Sequence, residues 1–232
     1  PEIDGRAVMV RVRAERDRFV QGVRDGFADL PEGTCVQARA AFTSDTTLAL
    51  DDGRSVRANA IVVATGAAPM IPPPFRDLGP ALLTNDTVFE IEELPSRLAV
   101  IGGGPIGLEL AQAFARLGVE VALFDQGDTL AGVRCDRVHK ALREVVEGDM
   151  SLHLGTNPRP TREGDGVRID WDGTSGHFDR VLVATGRPPN IEGLHLDRTG
   201  LTLDGNGMPE VNEATLQCGD APIFMAGDGN GE

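Results

Sequence analysis

The chain has 232 residues, 41% of them hydrophobic and 25% charged, which suits two folded domains of about a hundred residues each. Its formal net charge of -14 opposes binding to nucleic acid, where lysine and arginine must displace counterions from phosphates. No apolar run approaches the ~20 residues of a membrane helix, and the opening Pro-Glu-Ile-Asp-Gly-Arg has neither the basic start nor the apolar stretch of a signal peptide, so a cytoplasmic protein with no membrane or nucleic-acid partner is expected.

From Asp4 to Phe27 the apolar residues Val8, Val12, Phe19, Val23 and Phe27 recur at helical spacing, with Asp4 as N-cap. The arginines from Arg6 to Arg24 are interleaved with Glu15, Asp17 and Asp25 and read as the solvated face of that helix. After Pro31-Glu-Gly33 the pattern shortens to β-rich runs, Thr34 to Phe42, Thr47 to Leu50 and Ser55 to Ala64, with a turn at Asp51-Asp52-Gly53. The prolines between Pro69 and Pro74 withhold amide donors and mark an extended connection. A strand at Leu98 to Ile101, a helix from Pro105 to Leu117 and a strand from Val119 to Phe124 then form a βαβ unit. A helix from Asp136 to about Val146 follows, then short strands between Ser151 and Asp172. An apolar strand from Phe178 to Ala184 and a short one from Ile223 to Ala226 complete the pattern.

The chain also carries an internal repeat. Ala64-Thr65-Gly66 and Ala184-Thr185-Gly186 are 120 positions apart, as are Asp52-Gly53 and Asp172-Gly173, Ser55 and Ser175, Val63 and Val183, and Pro69 and Pro189. One constant offset implies two related domains, each closing with hairpin, strand and Thr-Gly turn.

The chemistry concentrates at Gly102-Gly-Gly104-Pro105-Ile106-Gly107-Leu-Glu109. These glycines follow an apolar strand and open a helix, the context of a dinucleotide fingerprint. Gly102 makes the tight turn, Gly104 lets a pyrophosphate approach the backbone, and Gly107 lets helix and strand pack closely. The helix N-terminus offers amides and a positive dipole end to phosphate. Asp125, 23 positions after Gly102, ends the second strand where a carboxylate accepts from ribose hydroxyls. That carboxylate repels a 2′-phosphate, and Gln126-Gly127-Asp128 brings no arginine, so NAD is favoured over NADP. Cys35, Cys135 and Cys218 form no CxxC or CxxxxC motif, no histidine stands at metal-ligand spacing, and the four histidines read as surface residues. No metal site is expected.

The run from Gly102 to Asp125, the segment Ala184-Thr-Gly-Arg187-Pro-Pro-Asn190 with Gly193-Leu194, and Ala221 to Asp228 resemble the class I pyridine nucleotide-disulfide oxidoreductases, closest to dihydrolipoamide dehydrogenases. The resemblance covers nearly the whole chain. It implies an α/β fold in which a Rossmann-like NAD domain is inserted in a partial FAD-binding domain of the FAD/NAD(P)-binding fold. Residues 1–87 become the first FAD segment, 88–187 the NAD domain and 188–232 the resumed FAD segment. It further implies that Asp228, after Gly227, meets the flavin ribityl chain. Ala64, Thr65 and Gly66 come to lie near the FAD pyrophosphate and adenosine, Arg187 beside the flavin, and the Ala40 backbone near adenine. Glu109 and Gly186 border the nicotinamide. Pro105 stands where the family often has a bulkier residue, and as an early helix residue it needs no amide donor.

The resemblance implies a flavoprotein that takes electrons from a dithiol through FAD to NAD, acts on a small-molecule or lipoyl-type disulfide, and dimerises through a domain this sequence does not contain. The family's N-terminal FAD glycine loop, CxxxxC pair and C-terminal His-Glu pair have no counterpart here. The expectation is therefore a fragment inactive alone, without catalytic residues of its own. A pyridine nucleotide transhydrogenase, a mercuric reductase-like flavoprotein and a free-standing NAD-binding module remain the alternatives.

Overall fold

A computed structural model describes residues 3–231. In chain order it contains α1 (Gly5–Ala28), β1 (Ala40–Ser44), β2 (Thr47–Leu50), β3 (Ser55–Arg57), β4 (Ile61–Val63), β5 (Leu82–Thr84) and β6 (Arg97–Ile101). These are followed by α2 (Pro105–Arg116), β7 (Glu120–Phe124), α3 (Asp136–Glu147), β8 (Ser151–His153), β9 (Arg159–Glu163), β10 (Gly166–Trp171), β11 (Thr174–Phe178), β12 (Arg180–Val183) and β13 (Ile223–Met225). Two compact units divide the chain. The first takes residues up to Arg24 and Pro69–Gly186; the second takes Asp25–Ala68 and residues from Arg187 onward.

The first unit is built on a parallel sheet in the order β5-β12-β6-β7-β8. The three central strands are apolar after their first residue, Val181–Val183, Leu98–Ile101 and Val121–Phe124, because both faces of the sheet are covered. From β6, Leu98 and Val100 join Ala111 and Phe114 of α2 and Val146 of α3 in one core, while Ala99 and Ile101 join Val167, Ile169 and Phe178 in another. The second core lies against an antiparallel sheet, β11-β10-β9. The sequence boundary at 87/88 follows the family's domain plan; the compact units divide earlier, at Ala68/Pro69. Ile71, Phe75, Leu78 and Ala81 pack into the first unit's core and β5 enters its sheet, which draws residues 69–87 with them.

The second unit pairs an antiparallel sheet, β1-β2-β3, with a two-stranded parallel pair, β13-β4. Phe42, Ile61, Val63, Leu196, Cys218, Ile223 and Met225 form its core. The 120-position repeat is visible in both units. Each has a three-stranded antiparallel sheet whose last hairpin turns at Asp-Gly, with Gly53 at φ 89° and Gly173 at φ 78°, followed by a parallel strand and a left-handed glycine.

Two sequence expectations of strand need correction. The strand from Thr34 forms only from Ala40, where pairing with Leu50 begins. The run Ser55–Ala64 is two strands, β3 and β4, because the chain leaves an antiparallel sheet and enters a parallel one, whereas the strand expected over Phe178–Ala184 is β12, Phe178 itself closing β11. Ala58 N–H closes the first sheet on Thr46 O, Ile61 N–H opens the next on Pro222 O, and Asp179 makes the equivalent step by exchanging hydrogen bonds with Arg97.

Helix α1 starts as expected, with Ala7 N–H donating to Asp4 Oδ1 at 3.0 Å. Its arginines do more than face solvent: Arg6 pairs with Glu93, Arg16 with Glu90, and Arg13 donates to Ile91 O. The apolar face, by contrast, is open at its far end, where Phe19, Val23 and Phe27 expose 66%, 61% and 61% of their surface.

Candidate dinucleotide site

The glycine loop sits at the carboxyl end of β6, with Gly102 N–H bonded to Phe124 O at 2.8 Å. Gly102 has φ 112°, and a Cβ there would lie 2.3 Å from Ala184 O. A Cβ on Gly107 would lie 2.0 Å from Gly102 O, so any side chain at either position forces the helix off the sheet. Gly104 differs: a Cβ there meets nothing within 4 Å, so the space above it is open. Gly104 is the N-cap of α2, no side chain caps it, and Pro105 fills the first helical position without losing a donor. Ile106 and Gly107 follow in the first turn. An uncapped helix start beside open space presents its amides and positive dipole end to an anion, which is the geometry a pyrophosphate needs.

Asp125 ends β7 and is half-buried. Its Oδ2 accepts from Gly103 N–H, and its Oδ1 accepts from Gly127 N–H at 2.6 Å. The expected ribose acceptor is thus also the brace of the glycine loop. A carboxylate has about four acceptor sites, so two amides leave capacity for ribose hydroxyls. Two neighbouring segments complete the brace: Ala131 N–H donates to Gly103 O at 2.7 Å, and Thr156 N–H to Asp125 O at 3.0 Å.

On the other side of the loop lies the end of β12. Ala184 N–H is bonded to Ile101 O at 2.8 Å, which aligns Ala184-Thr185-Gly186 with the glycine loop. Gly186 is exposed with φ 139°, and Glu109 is exposed one turn into α2. The structure thus gathers Gly102, Gly104, Pro105, Ile106, Gly107, Asp125 and Gly186 at one end of one sheet.

In the second unit, Ala64-Thr65-Gly66 leaves β4 and is held by Arg187 to Asn190. Arg187 Nη2 donates to Ala67 O at 2.8 Å, Asn190 Nδ2 to Thr65 O at 3.1 Å, and Asn190 N–H to Gly66 O at 2.8 Å. Gly227 to Asn230 form a 3-10 turn after β13, where a Cβ on Gly229 would stand 3.7 Å from the amides of Thr65 and Gly66. Asp228, on that turn, is exposed. Ala64, Thr65, Gly66, Gly227 and Asp228 therefore converge at the ends of β4 and β13. Ala40 lies at the start of β1, opposite Leu50. The clamp made by Asn190 is absent from the sequence reading, since a contact across 125 positions leaves no local pattern.

Among the described residues no cluster of histidine, cysteine or acid could hold a metal, and no helix is long and apolar enough to cross a membrane. Cys35, Cys135 and Cys218 are free; Cys218 is buried, and burial pushes its thiol up. Of the histidines read as surface residues, His177 and His195 are exposed. His139 and His153 are not fully so: His139 Nε2 is buried without a hydrogen-bond partner, and His153 stacks on Phe124 at 4.8 Å with Trp171 at 4.9 Å. Burial holds the His153 imidazole below its ordinary pKa, against the opposing charge of Asp172.

A family model described as pyridine nucleotide-disulphide oxidoreductase matches residues 16–231. A mercuric reductase of Staphylococcus aureus is 31% identical over 97% of this chain and 42% of its own length. A dihydrolipoyl dehydrogenase of Chlamydia pneumoniae is 30% identical over 99% of this chain and 51% of its own. The chain thus spans about half the length of the curated relatives it matches. Among solved structures, the HOCl-induced flavoprotein disulfide reductase RclA of Escherichia coli, in a Cu(II) complex, superposes with a TM-score of 0.84 at 23% identity, covering 94% of this chain and 52% of that one. This last likeness is one of fold.

Proposed function

The chain belongs to the pyridine nucleotide-disulphide oxidoreductase family, and from that premise we propose that it is the nucleotide-holding part of an FAD-dependent, NAD-linked disulfide oxidoreductase of dihydrolipoyl dehydrogenase type. The observation that carries the reading is the glycine loop. Gly102 and Gly107 have no room for a Cβ, Gly104 faces open space, and α2 begins uncapped over it. The pyrophosphate of NAD binds at the α2 N-terminus, and the adenosine ribose donates to Asp125. Asp125 also disfavours a 2′-phosphate by charge repulsion, which selects NAD. The NAD residues of the glycine loop, with Asp125 and Gly186, fall within 88–187, which the family's plan inserts between FAD-binding segments 1–87 and 188–232.

In the second unit, Asp228 accepts from the flavin side chain. Thr65 and Gly66 approach the FAD pyrophosphate, Ala40 approaches the adenine, and Arg187 and Asn190 hold the Thr65–Gly66 turn in place. FAD held by these residues would supply two-electron redox chemistry between a dithiol and NAD. The dithiol is no part of this chain's chemistry, since its three cysteines are free and none stands at CxxxxC spacing. A lipoyl-type disulfide substrate, a homodimeric assembly and a cytoplasmic location belong to the same proposal; the free cysteines support a reducing compartment.

The 31% identity to a mercuric reductase favours a second reading, in which the same nucleotide scaffold serves reduction of mercuric ion. Steady-state assay of the whole protein separates the two. NAD reduction driven by dihydrolipoamide supports the first. Nicotinamide-dependent consumption of mercuric ion, with none of dihydrolipoamide, would overturn it.

A further inference from the structure

We propose that Met70 is a binding residue for the nicotinamide end of the dinucleotide, held in place by Thr185 acting as a positioning residue. The inference rests on the NAD reading of the glycine loop and extends it to a residue from a different part of the chain. In the order β12-β6-β7, the glycine loop after β6 has Asp125 on one side and Thr185-Gly186 on the other. A dinucleotide whose pyrophosphate lies on α2 and whose adenosine ribose meets Asp125 therefore extends its second nucleoside toward β12. That is where Met70 stands.

The Met70 backbone is tied to the end of β12 at two points. Its N–H donates to Gly186 O at 2.9 Å, and its carbonyl accepts from Thr185 Oγ1 at 2.9 Å. Pro69, Pro72, Pro73 and Pro74 restrict the backbone around it, so the segment is stiff before any ligand arrives. The side chain remains free to make a contact: Met70 is 44% exposed, and its Cε lies 3.7 Å from where a Gly186 Cβ would be. A flexible thioether over an exposed glycine suits the edge or face of a flat heteroaromatic ring, which methionine sulfur contacts favourably. The absent Cβ of Gly186 leaves the ring room to approach.

The test compares NADH with ADP-ribose, which lacks only the nicotinamide, by calorimetric titration of the purified chain. Met70→Ala should weaken NADH by about three- to tenfold and leave ADP-ribose unchanged. Met70→Leu should restore most of the loss. Thr185→Val should weaken NADH in the same selective way, and Thr185→Ser should rescue it. Equal weakening of both ligands, or of neither, overturns the proposal while leaving the dinucleotide reading intact. A wild-type chain that binds neither ligand overturns both.

Discussion

Val62 and Leu182 occupy the same place in the 120-position repeat, each the next-to-last residue of a parallel strand that follows an antiparallel sheet. Leu182 has strands on both sides, β5 and β6, and is fully buried; Val62 pairs with β13 alone and is 63% exposed. One sequence pattern has thus been given two different surroundings. In the first unit it backs a finished sheet and a complete glycine loop, so the unit holds both ends of the proposed dinucleotide site on its own residues. In the second unit it backs a pair of strands, whose ends offer Thr65-Gly66 and Gly227-Asp228 as one side of a site. The repeat is common to both units; the added strands and the glycine loop are what set the proposed site of the first unit apart.

Matched substitutions sharpen this contrast most. Leu182→Ala should cost about 3 kcal/mol in urea unfolding, the transfer and cavity cost of a buried leucine. Val62→Ala should stay within about 0.5 kcal/mol, as for an exposed position. Similar losses at the two positions would break the comparison.

The next effect is at Asp125. Asp125→Ala removes the acceptor for two loop amides, Gly103 and Gly127, and should destabilise the first unit by about 2 kcal/mol as well as weaken NADH binding. Asp228→Ala has no such brace to remove and should leave unfolding unchanged. If Asp125→Ala weakens NADH without any loss of stability, the carboxylate serves the ligand alone.

The smallest effect is one of pH. Burial lowers the folded-state pKa of His153 below the unfolded value, so the neutral ring is the form that folding favours. Its contribution is fully present above the ordinary histidine pKa of about 6.5 and is lost as pH falls through that value toward the folded one. Unfolding at pH 7.5 and 5.5 should therefore show a smaller acid loss for His153→Phe than for the wild-type chain. An equal loss would mean the ring is solvated.

Much of this was legible in the sequence. The βαβ unit, the glycine spacing and Asp125 are local, and their spacing reports geometry directly. The repeat was legible for the same reason, since turn residues such as Asp172-Gly173 carry their conformation with them. What was hidden depends on distance along the chain. Asn190 reaches Thr65 across 125 positions and Thr185 reaches Met70 across 115, so neither leaves a periodic trace. The splitting of Ser55–Ala64 was also hidden, because an apolar run reads alike whether it stays in one sheet or changes sheets. Periodicity marked Phe19, Val23 and Phe27 as one face of a helix, but it does not tell whether that face is covered.

Titration of the purified chain with NADH and with NADPH tests the central claim, that the first unit binds a dinucleotide and selects it at Asp125. Saturable binding of NADH, with NADPH at least about tenfold weaker and the difference abolished in Asp125→Ala, is the result the geometry predicts. Failure to bind NADH, or equal affinity for both, would contradict it.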